Sequence, residues 1–112
     1  MTPAPRWPAF GCAIALALAP PVLAQAGEAT ACARDVLVAS SMQRQAIEQL
    51  EQTGSDDADR CRVWRRHVET MRRVSSVYGR CLTGTERSAR LAEVQGSEKE
   101  FSGLVRSRCK GL

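Results

Sequence analysis

Four cysteines beyond the N-terminal segment limit the possible folds of this 112-residue chain more than any other feature. They are Cys32, Cys61, Cys81 and Cys109. No two of them form a C-x-x-C pair and the chain has a single histidine, so a zinc site would need four scattered thiolates. An even number of cysteines in a short exported chain instead predicts a framework of two disulfides.

The N-terminus carries the export signal that such disulfides require. Arg6 is the only charged side chain among the first 27 residues, and an apolar run at residues 9–19 follows it, ahead of two prolines and several small residues. This order is typical of a cleavable secretory signal, and about eleven apolar residues are too few for the roughly 20 of a membrane-spanning helix. We therefore predict a signal peptide over residues 1–24, which removes Cys12. Residues 25–112 then form a periplasmic or secreted domain that does not span the membrane.

Three segments of the mature chain repeat apolar residues at intervals of three and four, which predicts helices. They run from about residue 30 to 52, from about 57 to 80, and from about 83 to 109. The apolar stripe of the first segment, which we expect to face the core, consists of Cys32, Val36, Ala39, Ala46, Ile47 and Leu50. The middle segment has two adjacent apolar stripes, so we expect it to contact both of the others. Similar lengths and short turns predict an all-α, up-down-up three-helix bundle, with no strand.

The helix ends have their own signals. Gly54 is suited to a left-handed C-terminal conformation, and Ser55 or Asp56 can cap the second helix. Thr83 to Glu86 reads as a capping box at the start of the third helix. Gly96 lies in the middle of that helix, which leaves open whether it is continuous or is kinked or split there.

The up-down-up topology selects one disulfide pairing. A helix of about 24 residues is roughly 36 Å long, whereas bonded cysteines need Cα atoms within about 7 Å. Cysteines must therefore lie level in the bundle. Only Cys32–Cys81 together with Cys61–Cys109 meets this condition, because the other two pairings join opposite ends.

The second helix also presents a face rich in arginine. Glu69 lies on this face, four residues before Arg73, and this spacing predicts an ion pair. Such a face attracts acidic partners, although a solvated surface explains the same pattern. The mature chain carries only +3, from 15 basic and 12 acidic residues, and export without interleaved aromatic residues argues against nucleic acid. The possible anionic-partner face consists of Arg62, Arg65, Arg66, Arg72, Arg73 and Arg80.

No residue pattern indicates catalysis, a metal or a cofactor. His67 is the only imidazole, and it falls on a mostly apolar stripe where a core histidine is the simpler interpretation than a general base. Asp56, Asp57 and Asp59 lack the glycine and glutamate that an EF-hand loop would add. Acidic residues in a first helical turn are explained by the helix dipole.

The order and spacing of the four cysteines resemble those of small exported four-cysteine helical proteins of bacteria, whose function is unknown. This resemblance implies an exported helical fold and assigns no functional residue. We expect a non-enzymatic interaction or accessory protein, of the adaptor or inhibitor kind, that binds a protein through its helical surface. The alternative is a binder of anionic envelope polymer or lipid headgroups through the arginine face.

Export with cleavage has a direct test. Intact-mass analysis of periplasmic protein should give a chain that begins at Gln25 or Gly27, because cleavage after Ala24 or Ala26 fits the small-residue pattern. Recovery of the full-length chain from Met1 in the cytoplasm would contradict the signal-peptide prediction.

Overall fold

The computed structural model describes residues 2–5 and 21–112. The apolar run at residues 9–19 and Arg6, on which the signal-peptide prediction rests, lie outside the described residues. Over the described part, the chain forms three helices and no strand, which confirms the predicted all-α bundle. The helices are α1 (Pro21–Gln52), α2 (Asp57–Cys81) and α3 (Gly84–Arg108). None of them offers an apolar stretch long enough to span a bilayer.

Helix α1 starts earlier than expected, at Pro21 instead of near residue 30. The first turns are rich in alanine, which favours helix, and proline is well tolerated at the first helical position because its missing N–H has no partner there. The prediction treated this stretch only as a cleavage zone. The helix crosses both candidate cleavage positions, after Ala24 and after Ala26.

The two turns are short, as predicted, but their caps differ from the expected ones. Gly54 does not take the left-handed conformation. Instead, the Thr53 hydroxyl donates to the carbonyl of Gln49 at 2.7 Å and satisfies one of the last acceptors of α1. Asp56 occupies the N-cap position of α2, but its side chain makes no capping hydrogen bond.

At the start of α3 the predicted capping box is wrong, because the Thr83 side chain makes no capping bond. The left-handed residue of this turn is Gly84, with φ of +61°, a conformation that glycine adopts without steric cost. Helix α3 then runs unbroken through Gly96. A mid-helix glycine costs only about 1 kcal/mol relative to alanine, so packing against α2 is enough to keep the helix continuous.

Helix α2 is the centre of the fold. It packs against both α1 and α3, whereas no Cα atom of α1 comes within 8 Å of one in α3. The core forms where side chains of the outer helices meet the inner face of α2. Its buried members are Ala39 and Ala46 from α1, Met71, Val74 and Tyr78 from α2, and Val94 from α3.

The inner face of α1 is rotated slightly from its predicted position. Ile47, expected in the core, is 42% exposed, and Gln43 is only 7% exposed. The burial of Gln43 is stabilised by hydrogen bonds, as a buried amide requires. Its Oε1 accepts from the Tyr78 hydroxyl at 3.0 Å, and its Nε2 donates to Glu93 Oε1 at 3.0 Å.

This polar network joins all three helices. Ser40 Oγ of α1 lies 3.1 Å from the Tyr78 hydroxyl of α2, and Tyr78 has no solvent exposure. The bond from Gln43 to Glu93 links α1 to α3 across the gap between their backbones. The Arg90 guanidinium of α3 lies 5.7 Å from the centre of the Tyr78 ring, within cation–π distance.

The two disulfides confirm the predicted pairing. Cys32–Cys81 joins α1 to the C-terminal end of α2, with Cα atoms 5.1 Å apart. Cys61–Cys109 joins the N-terminal part of α2 to the residue after α3, with Cα atoms 5.8 Å apart. Each outer helix is thus bonded to α2 at a different end of the bundle.

Non-reducing peptide mapping checks this arrangement. Trypsin should release Cys61-Arg62 joined to Cys109-Lys110, and the peptide that contains Cys32 joined to the one that starts at Cys81. Replacing either pair with alanine should lower the free energy of unfolding by up to about 4 kcal/mol, since each bond closes a loop of roughly fifty residues. A Cys32–Cys61 linkage would show that the first two helices are not a full-length antiparallel hairpin.

Candidate anionic-partner surface

The six arginines of the predicted face are all exposed on α2, but they do not form a single uniform surface. Arg62 and Arg66 point to solvent along the outer ridge of the helix. The other four lean toward its neighbours. Arg65 and Arg72 border α3, and Arg73 and Arg80 border α1. We keep the name arginine face for these six residues.

Three of these arginines form ion pairs with carboxylates. Arg62 pairs with Asp59 at 3.1 Å, Arg72 with Glu98 at 2.8 Å, and Arg80 with Asp35 at 3.3 Å. The arginine side chains are 59–64% exposed, and solvent screening limits such exposed pairs to less than about 1 kcal/mol each. A partner's carboxylate can therefore compete for these arginines at little cost.

The other three arginines have no ion pair with any described residue. The predicted ion pair between Glu69 and Arg73 does not form, and neither Arg66 nor Arg73 is paired with a carboxylate of the described residues. Arg65 donates to the backbone carbonyls of Leu112 at 2.9 Å and Cys109 at 3.4 Å.

A groove lies between α2 and α3 beside this face. Val68 and Val105 line its apolar part, and the space measures about 380 Å³. Three arginines also line it, Arg65 and Arg72 of α2 and Arg106 of α3, and Glu69 and Ser102 complete the lining. We call this the α2/α3 groove.

Sequence reasoning did not identify Arg106, because the arginine face was sought on one helix only. The antiparallel register that predicted Cys61–Cys109 also places the last turn of α3 beside Arg65. If the same register had been used to place charged residues as well as cysteines, it would have predicted that Arg106 lies near the arginine face and that Arg72 pairs with Glu98.

A second groove lies on the other side of α2, against α1. It is lined by Val38, Met42 and Val77, with Arg73 and Arg80 at its edge. Its charge is partly neutralised because Asp35 also lines it and pairs with Arg80. The arginine face is therefore a ridge with an apolar groove on each side.

His67 lies in the interior, as expected for a core histidine, and is 2% exposed. Its Nε2 is 2.8 Å from Ser97 Oγ, and its ring centre is 4.5 Å from that of Phe101. The distance to Ser97 suits a base and a nucleophile, but within the described residues no group hydrogen-bonds to Nδ1. Because Nδ1 is unbonded, the arrangement lacks the orienting carboxylate of a triad. Both residues also lie inside helices.

Burial lowers the pKa of His67, because desolvation disfavours the imidazolium ion. The Ala46 backbone and the Glu100 carboxylate act in the opposite direction and offset this only in part. The Ala46 backbone does not meet hydrogen-bond geometry with the ring, which agrees with an unbonded Nδ1. The neutral imidazole is the form that the fold accommodates.

This assignment predicts a stability change with pH. A pKa lowered by folding means that the unfolded chain binds more protons below about pH 6.5, so stability falls as the pH drops below that value. The slope should not exceed that of one proton, about 1.4 kcal/mol per pH unit. Urea unfolding between pH 5.5 and 7.5 measures it. His67→Gln should remove the slope because no other histidine is present, and an unchanged slope in that variant would contradict the assignment.

The residues that the structure describes contain no group of three or more histidine, cysteine, aspartate or glutamate side chains placed to hold a metal ion. Comparison of the chain with protein-family models, curated proteins and solved structures found no match.

Proposed function

We propose that this protein is an exported, non-enzymatic accessory protein, of the adaptor or inhibitor kind, that binds an acidic protein partner through the arginine face. The observation that carries the proposal is the combination of exposed guanidinium groups with apolar grooves on both sides of α2. Arginine is enriched in protein interfaces and among the residues that dominate their energy. It binds carboxylates with two parallel hydrogen bonds.

The distribution of charge supports a partner that is acidic and partly apolar. Arg66 and Arg73 have no carboxylate partner among the described residues, and the existing ion pairs of the face are weak because they are exposed. An acidic partner would form ion pairs with these two arginines and would cover the apolar lining of the grooves at the same time.

The proposed compartment is the periplasm or the exterior. Two disulfides join the three helices, and disulfides persist in oxidising compartments. This supports the export predicted from the N-terminal sequence, and it agrees with the resemblance to exported four-cysteine proteins.

A second candidate is binding of an anionic envelope polymer or of lipid headgroups. The three arginines that line the α2/α3 groove favour it, since arginine also binds phosphate groups. Salt separates the two candidates. Binding that is mainly electrostatic should collapse at high ionic strength, whereas a protein interface with an apolar centre should persist.

The protein-partner proposal predicts the effect of charge reversal. A variant with Arg62→Glu, Arg66→Glu and Arg73→Glu should lose its captured partner, as measured by quantitative mass spectrometry after affinity capture from periplasmic extract in low and high salt. Circular dichroism and the melting temperature should change little, because these three side chains are exposed.

A matched control reverses three exposed arginines elsewhere, with Arg34→Glu, Arg44→Glu and Arg87→Glu. This variant has the same net charge and should retain the partner. Equal capture by both variants would show that the arginine face is a solvated surface without this function.

A further inference from the structure

We propose that the α2/α3 groove receives one acidic side chain of the partner together with a neighbouring aliphatic side chain. This inference rests on the proposed function and specifies which part of the surface makes the contact. It also brings Arg106 of α3, which lies outside the arginine face, into the binding site.

The groove has uncompensated positive charge. Arg106 has no ion pair with a described residue, and Arg65 donates to backbone oxygen atoms of Cys109 and Leu112. Arg72 is partly neutralised by Glu98, and Glu69 adds one negative charge to the lining. Among the lining residues themselves, three arginines stand against the single carboxylate of Glu69, which suits an acidic side chain as ligand.

Hydrogen-bond donors for that carboxylate remain available. A guanidinium group has five N–H donors. Arg72 uses its Nε for Glu98, so both of its terminal amino groups are free to donate. Arg106 uses none of its side-chain donors within the described structure, and Arg65 uses only one terminal nitrogen. Two parallel N–H bonds to one carboxylate are thus possible from more than one arginine.

The apolar lining specifies the second part of the ligand. Val68 is 7% exposed and Val105 is half-buried, and together they form a surface that an aliphatic side chain can cover. The space of about 380 Å³ suits one or two side chains. Apolar contact beside the guanidinium groups would exclude water and strengthen the charged hydrogen bonds.

The same features argue against a membrane surface as the ligand. Glu69 and Glu98 lie among the arginines and would repel a dense array of phosphates. The lining has no tryptophan or tyrosine, the residues enriched where proteins enter the lipid interface. We therefore assign the groove to a protein carboxylate.

The test uses a minimal probe, N-acetyl-leucyl-glutamate with an amidated C-terminus, whose only carboxylate is the glutamate side chain. It is titrated into the ¹⁵N-labelled mature protein and followed by NMR. The Nε–H signals of Arg65, Arg72 and Arg106 should shift in a saturable way. The matching glutamine peptide, also amidated at its C-terminus and therefore without any carboxylate, should bind at least threefold more weakly. Arg106→Gln should weaken binding of the acidic probe about threefold to fivefold, as expected for an exposed ion pair.

The control variant is Arg87→Gln, which removes another exposed α3 arginine without an ion pair and should leave probe binding unchanged. Circular dichroism of both variants should match that of the wild type. Equal binding of the acidic and amide probes, or equal binding by wild type and Arg106→Gln, would overturn the assignment.

Two further probes distinguish other anions. Inorganic phosphate or vesicles of equal phosphatidylcholine and phosphatidylglycerol that bind in an Arg106-dependent way, when the acidic dipeptide does not, would overturn it in favour of a phosphate ligand. If the variant with Arg62→Glu, Arg66→Glu and Arg73→Glu loses the captured partner but the wild type does not bind the dipeptide, the assignment of the groove is rejected and the proposed function stands. Retention of the partner in that variant would reject the proposed function itself.

Discussion

Both outer helices depend on α2 for their position. Helices α1 and α3 have no close backbone approach to each other, so α2 supplies the apolar surface against which each of them packs. The disulfides reinforce this arrangement from opposite ends, since Cys32–Cys81 fixes α1 near the C-terminus of α2 and Cys61–Cys109 fixes α3 near its N-terminus. A core this small gains from such bonds, because a domain of fewer than 100 residues buries a limited share of its surface.

The fold was largely predictable because its register follows from simple geometry. Three segments of similar length with short turns allow only one level pairing of the cysteines, and the structure has that pairing. The same register, centred near residue 85 for α2 and α3, places Arg72 beside Glu98. The feature that sequence periodicity could not resolve was the rotation of α1, which exposes Ile47 and buries Gln43. That rotation depends on hydrogen bonds between helices, which a pattern within one helix does not contain.

Helix ends were less predictable than helix interiors. Several local groups compete for the terminal donors and acceptors, and the outcome depends on small energy differences. Thr53 bonds back to Gln49 where a left-handed Gly54 was expected, and Gly84 adopts the left-handed conformation instead.

The candidate site was only partly predictable, because one of its residues comes from a different helix. Six of its arginines lie on one helix and share a periodic pattern, but Arg106 joins them only through tertiary structure.

The polar network of Ser40, Gln43, Tyr78 and Glu93 has a consequence for how the oxidised chain reaches its native state. Four thiols can form three sets of two bonds, and oxidation alone does not choose among them. Any set that shifts α1 along α2 would leave the Tyr78 hydroxyl and the Gln43 amide in an apolar environment without their partners, at a cost of about 1–3 kcal/mol for each group. Thiol–disulfide exchange would continue to act on such isomers. The core itself therefore favours the native disulfides, because it makes the misbonded isomers less stable than the native one.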